Sequence, residues 1–163
     1  MLLKDIESYY CESFYPLSSI SDSNQWEDSG LVSQRISVFP KFLNNFKELQ
    51  ENVDNADDYH VALYRKQFLG FLTSLAAKVK MFKKEKSSIE LYEFFSPPNE
   101  EDVILLSEKN LIDIYIPELS IIFLGHDDFG FILLSDGSHS SLTIINTEIA
   151  KHKLFLLNTD IVV

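Results

Sequence analysis

The chain has 163 residues, 45% of them hydrophobic and 24% charged, with 5 Gly, 5 Pro and 1 Cys. This composition excludes collagen-like and low-complexity chains, and a lone Cys11 excludes an intrachain disulfide. A net charge of −11 repels nucleic acid and anionic membrane surfaces and steers basic partners toward the protein.

The charge is unevenly placed: residues 1–30 carry −5, 31–60 carry −2, 61–90 carry +5 and 91–163 carry −9. The length suits one domain over 1–163 with its own core. No apolar run approaches the ~20 residues that span a bilayer. The opening MLLKDIESYY places Asp5 and Glu7 where a signal peptide needs its apolar stretch. The expectation is therefore a soluble, cytoplasmic protein without membrane contact.

In chain order, Leu3, Ile6, Tyr10 and Phe14 recur at helical spacing and predict a helix over residues 2–13. Cys11 lies in it as a passive thiol, with no basic neighbour to activate it. Residues 15–30, rich in Ser with Pro, Asn, Asp and Gly, read as a loop. That loop holds Trp26 beside Glu27 and Asp28. Trp is enriched at binding hot spots, so these three are candidate partner-binding residues, although Trp26 folded back as a lid on the core is the simpler alternative.

Leu31 to Val38 reads as a short helix or turn stopped near Pro40, followed by a helix presenting Phe42, Leu43, Phe46 and Leu49. The longest predicted helix runs from about Asp57 to about Lys84. Asp54, Asp57 and Asp58 crowd its start, and Lys78, Lys80, Lys83, Lys84 and Lys86 its end, which complements the helix dipole. Val61, Tyr64, Phe68, Phe71 and Leu75 form its buried stripe. Gly70, costly in mid-helix, implies a close approach by another element.

Ile89 and Leu91 alternate with polar residues and predict an extended piece ending at Pro97-Pro98. Asn99 then caps a helix over Glu100–Lys109, with Glu100, Glu101 and Asp102 in its first turn. Five short apolar runs follow: residues 112–116, 121–124, 131–134, 142–145 and 154–157. Separated by Pro117, Gly125 to Asp128, Asp136-Gly137 and the region of Asn146, they predict an antiparallel meander. The expected fold is α+β: a helical first half (1–86) packed on an antiparallel sheet of about five or six strands in the second half (87–163).

His126, Asp127 and Asp128 are the one cluster of ligand-type residues, and a His with two carboxylates can hold a divalent metal. They fall in a turn where Gly and Asp are wanted anyway, and His60, His139 and His152 show no paired ligand spacing. Ser138, His139 and Ser140 share a second turn with Asp136-Gly137, without a nucleophile elbow. No catalytic residue, metal or cofactor is therefore expected. A metal-dependent hydrolase using His126 and Asp128 stands as a third-ranked alternative, behind an acidic nucleic-acid mimic or adaptor.

Residues 91–135, LYEFFSPPNEEDVILLSEKNLIDIYIPELSIIFLGHDDFGFILLS, combine several features in a fixed order. An extended piece ends in Pro, an acid-capped helix follows, and Ile-Pro-Glu-Leu leads to a strand, a Gly-His-Asp-Asp-Phe-Gly turn and another strand. This segment resembles the SUKH-type superfamily and other small acidic bacterial toxin-immunity proteins, over about a quarter of the chain. The matching positions are Pro117, Gly125, Asp128 and Gly130, while the long helical first half departs from the family pattern. The resemblance implies stoichiometric binding of a co-encoded toxin, such as a nuclease delivered by contact or secretion, with an acidic face covering a basic active site. The residues expected to make that contact are Trp26, Glu27, Asp28, Asp127 and Asp128.

Overall fold

The computed structural model describes residues 32–43, 45–85, 92–107, 112–126, 130–135, 137 and 139–158. The predicted helix over 2–13, Cys11 and the loop over 15–30 lie outside them. The described elements are β1 (Val32–Ser37), α1 (Phe46–Leu49), a π-turn (Gln50–Asp54), α2 (Asp58–Ala76), β2 (Met81–Glu85), β3 (Tyr92–Phe94) and α3 (Glu100–Ser107). They continue with β4 (Ile112–Ile116), a 3-10 turn (Pro117–Leu119), β5 (Ile121–His126), β6 (Gly130–Ser135), α4 (His139–Lys151) and β7 (Phe155–Asn158). The fold is α+β, with helices interspersed among strands more than a strict division into halves predicts.

Seven strands form one antiparallel sheet in the order β3-β2-β4-β5-β6-β1-β7. β4, β5 and β6 are the expected meander, with Ile114 opposite Phe123 and Phe123 opposite Leu133. β7 does not continue it. β1 lies between β6 and β7, with Ile36 opposite both Phe131 and Leu156.

That insertion corrects the helix-or-turn reading of residues 31–38. Val32–Ser37 is six residues long and too short for periodicity to decide, and pairing on both sides makes it a strand. The predicted strand over 142–145 is also corrected, because it lies inside α4. There Ile145, Glu148 and Ile149 are buried at i, i+3 and i+4, and packing overrides the β preference of the Thr-Ile-Ile run. β3 falls within the extended piece predicted before Pro97-Pro98; with β1 and β2 added and residues 142–145 removed, the described sheet has seven strands where about five or six were expected.

The long helix begins as expected. The Asp57 side chain accepts the His60 N–H at 2.8 Å, so Asp57 is its N-cap. It ends at Ala76, eight residues before Lys84, and the chain turns through Lys78–Lys80 into β2. Of the lysines read as a dipole-complementing helix end, Lys78 and Lys80 lie in that turn and Lys83 and Lys84 in β2, where both are buried, while Lys86 lies outside the described residues. β2 holds its place because it pairs with β4 on one side and β3 on the other.

The core lies between α2, α4 and one sheet face. Phe68, Phe71, Leu72 and Leu75 of α2 and Ile145 and Ile149 of α4 pack on Ile36, Met81, Ile114, Phe123, Phe131 and Leu133. The opposite face of the central strands is buried too: Tyr115, Ile122, Leu124 and Leu134 are all enclosed. β4 alternates as Ile-Asp-Ile-Tyr-Ile, a pattern that usually marks one solvated face, yet all five residues are buried, so Asp113 and Tyr115 are enclosed on the second face. Asp113 in that run is satisfied in part by the Gly125 N–H, which donates to its Oδ1 at 2.8 Å.

α4 closes with a paired hydrogen-bond motif. The Leu154 N–H donates to the Ile149 carbonyl at 3.0 Å, and the Lys153 N–H to the Ala150 carbonyl at 3.3 Å. Lys153 occupies the left-handed position (φ 56°) where Gly is usual. A non-Gly residue there costs about 1–2 kcal/mol, partly offset by its stiffer unfolded chain. Lys153→Gly is therefore expected to stabilise the protein by up to about 1 kcal/mol, read as a raised urea midpoint.

Candidate functional site

The sequence-derived contact residues Trp26, Glu27, Asp28, Asp127 and Asp128 all lie outside the described residues. His126 is the last residue of β5, paired with Gly130. Among the described residues no group of three or more His, Cys, Asp or Glu side chains is placed to hold a metal ion, and Asp128 is not among those residues. His139 opens α4, so His139 and Ser140, predicted to lie in a turn, are corrected to a helix start, and Ser138 lies outside the described residues. Among the described residues no helix is long and apolar enough to cross a membrane.

The described surface carries two features along α2, of opposite charge. The first is its N-terminal corner. Tyr59 is 73% exposed there. Exposed carboxylates of Glu51, Asp54, Asp57 and Asp58 surround this stretch in sequence. Tyr59, His60, Tyr64 and Phe39 form a chain of ring contacts, with centroids 5.3, 6.1 and 5.5 Å apart. His60 Nδ1 lies 2.7 Å from Asp57 Oδ1. The His60 backbone and ring donors together hold the Asp57 carboxyl below its ordinary range. Tyr64 is pushed up, first by burial and then by the Asp57 charge. Aromatics set among carboxylates repeat the Trp26-Glu27-Asp28 pattern. The same signal, Asp57-Asp58-Tyr59, stands in the sequence, where complementing the helix dipole already accounts for the two acids.

The second feature is a groove of about 580 Å3 on the outer face of α2, against the end of α4. Leu63, Leu69, Gly70 and Thr73 line one part, and Lys66, Lys151, His152 and Lys153 another. Gly70 is what lets the two helices meet. A Cβ there would lie 2.9 Å from His152 Cδ2, so the close approach is made by an imidazole and not by another backbone. His152 Nδ1 lies 2.9 Å from the Glu148 carbonyl, which can only accept, so Nδ1 carries a proton. Gln67 Nε2 donates to the carbonyls of His152 and Lys153 at 3.3 and 3.1 Å and fixes this turn on α2.

Beneath the groove Glu148 is fully buried. Its carboxylate accepts from Ser74 Oγ at 2.6 Å and from the Lys78 ammonium, with Lys151 Nζ at 3.4 Å. Burial alone would push its pKa up. The hydrogen bonds from Lys78 and Ser74 and the charges of Lys78 and Lys151 together outweigh burial and hold it at about 2. The Glu148 carboxylate in turn raises Lys78.

Because the folded Glu148 pKa lies below the ordinary 4.5 of a glutamate, its contribution is complete above about pH 4.5 and is lost as pH falls toward 2. A shift of that size converts to about 3 kcal/mol. Lys78 is 43% exposed, so solvent screening reduces the expected loss to about 2 kcal/mol. Unfolding free energies measured from pH 6 to 2 should show that fall in the native protein and a shallower one in Glu148→Gln.

A second concavity, of about 600 Å3, is lined by residues 76–80 and 93–96. Its charges are largely matched, with Lys80 Nζ 3.9 Å from Glu93 and Lys78 committed to Glu148.

Fold and surface define an α+β protein with a seven-stranded antiparallel sheet and two solvent-facing features along α2, one acidic and aromatic, one cationic and apolar. No family model matches the chain, and no curated protein or solved structure matches it.

Proposed function

We propose that this chain is an immunity protein that binds a basic, co-encoded antibacterial toxin stoichiometrically and occludes its active site. The observation that carries the reading is the carboxylate surplus, a net charge of −11. Asp102, Asp113 and Glu148 are buried, but Glu51, Asp54, Asp57, Asp58, Glu100, Glu101 and Glu118 are exposed. Trp26 with Glu27 and Asp28, and Asp127 with Asp128, supply the expected contacts. The resemblance of residues 91–135 to toxin-immunity proteins points the same way. The protein acts by binding and turns nothing over.

Co-expression with the product of the adjacent reading frame tests this. That product should arrest growth alone and be tolerated with this chain. Its association with the purified chain should be fast at low salt and slow steeply as salt rises, with dissociation much less affected. Asp127→Lys with Asp128→Lys should slow association first. Trp26→Ala should instead raise dissociation, at a cost of about 2 kcal/mol. An association rate flat across salt would remove the electrostatic basis, and an acidic partner would remove the proposal.

A further inference from the structure

The groove against α4 runs opposite to the charge of the whole molecule. Among the described residues no carboxylate lines it, although the chain as a whole carries −11. Glu148 beneath it is already neutralised by Lys78, with Lys151 nearby. Lys66 and Lys153 have no carboxylate partner among the described residues, and both are exposed. The floor is apolar, and Leu63 is 41% exposed. From Leu63 to Ser74 the groove follows α2 for about 16 Å, roughly three helical turns. One turn further toward the N-terminus, exposed Tyr59 extends the same stripe, and there the flanking charges become those of Asp57 and Asp58.

We propose that this groove docks an amphipathic helix of a partner protein, antiparallel to α2, with its acidic N-terminal turns against Lys66 and Lys153. An elongated apolar stripe fits a helix face, whose anchors recur at i, i+3, i+4 and i+7. The antiparallel sense follows from charge. Helices favour acids in their first turn and bases in their last, so only that sense sets acids against Lys66 and Lys153 and bases against Asp57 and Asp58. This site does not depend on the immunity reading, because it takes an acidic segment and not a basic surface.

The test uses fluorescein-labelled amphipathic peptides of about 18 residues with one apolar stripe, flanked in the N-terminal turns by glutamates or by lysines. Fluorescence anisotropy should show the glutamate peptide binding the full chain and the lysine peptide binding at least tenfold more weakly. Lys66→Glu combined with Lys153→Gly should weaken the glutamate peptide at least tenfold, and Leu63→Glu should do the same. All three positions are exposed, and Gly suits the left-handed backbone at 153, so these variants should fold; circular dichroism melts check this. Equal binding of both peptides, unchanged affinity in the lysine variant, or no glutamate-peptide binding at millimolar concentration would overturn the proposal. Self-association abolished by Leu63→Glu without peptide binding would give the groove to a second copy of the chain. Laurate binding without peptide binding would give it to a small anionic amphiphile. Either result also overturns the proposal.

Discussion

Asp102→Ala is expected to destabilise the protein by about 3–5 kcal/mol, a large part of the 5–15 kcal/mol that holds a typical domain together. Lys83 lies on the helix-facing side of β2, opposite Ile114, and is buried there. Its ammonium donates to Asp102 Oδ1 in the first turn of α3, where Asp102 is fully buried. Removing either partner leaves an ion in an apolar layer without its counter-charge. Lys83→Ala should therefore cost a similar amount. The pair is itself incompletely satisfied, since among the described residues Asp102 Oδ2 is buried without a hydrogen-bond partner. Replacing both ends by apolar residues, Lys83→Met with Asp102→Leu, removes the desolvation cost of both ions. The double variant is expected within about 1 kcal/mol of the native protein or above it. Urea unfolding of the two single variants and the double variant gives the coupling directly. Single variants that cost less than about 1 kcal/mol would show that the two charges are not held together in a dry layer.

The same pair shows where sequence reasoning stops. A Lys-rich run after a helical stripe resembles a solvated helix end, and nothing local in Met81–Glu85 distinguishes that from a strand. What decides it is pairing with β4, more than 25 residues away, and a carboxylate presented by α3. β1 and α4 were missed for the same reason. Val32–Ser37 takes its form from β6 and β7, and Leu142–Ile145 from the core under α2. Where the signal was local, it was legible. Asp57 and Asn99 cap the helices they precede, with the Asp102 N–H 2.8 Å from Asn99 Oδ1. The central meander was legible because Pro117 and the short polar gaps bound its strands. The acidic corner at Tyr59 could be read from Asp57-Asp58-Tyr59. The cationic groove could not, because Lys66 and Lys153 are far apart in the chain and meet only through the turn that Gln67 holds.

Phe123→Ala is expected to cost about 3–5 kcal/mol. Phe123 is fully buried at the centre of β5, with Ile114 and Leu133 as its strand neighbours. Its ring centroid lies 5.9 Å from that of Phe71 on α2 and 6.0 Å from that of Phe131 on β6, and Phe131 is 5.4 Å from Phe68. Four rings thus join two turns of α2 to two neighbouring strands. Truncating the one at position 123 removes its transfer free energy, opens a cavity, and breaks contacts each worth about 0.5–1.5 kcal/mol beyond area burial. The walls cannot close readily, because β4 and β6 are fixed by their ladder hydrogen bonds and α2 is tied to α4 and the turn after it through Gln67 and Ser74. Phe123→Leu keeps most of the volume and should lose less than half as much. The loss should appear as a lower urea midpoint with an unchanged slope, since the surface exposed on unfolding is nearly the same. A cost below about 1 kcal/mol for Phe123→Ala would mean that the ring is not enclosed between α2 and the sheet, and the packing described for the core would then be wrong.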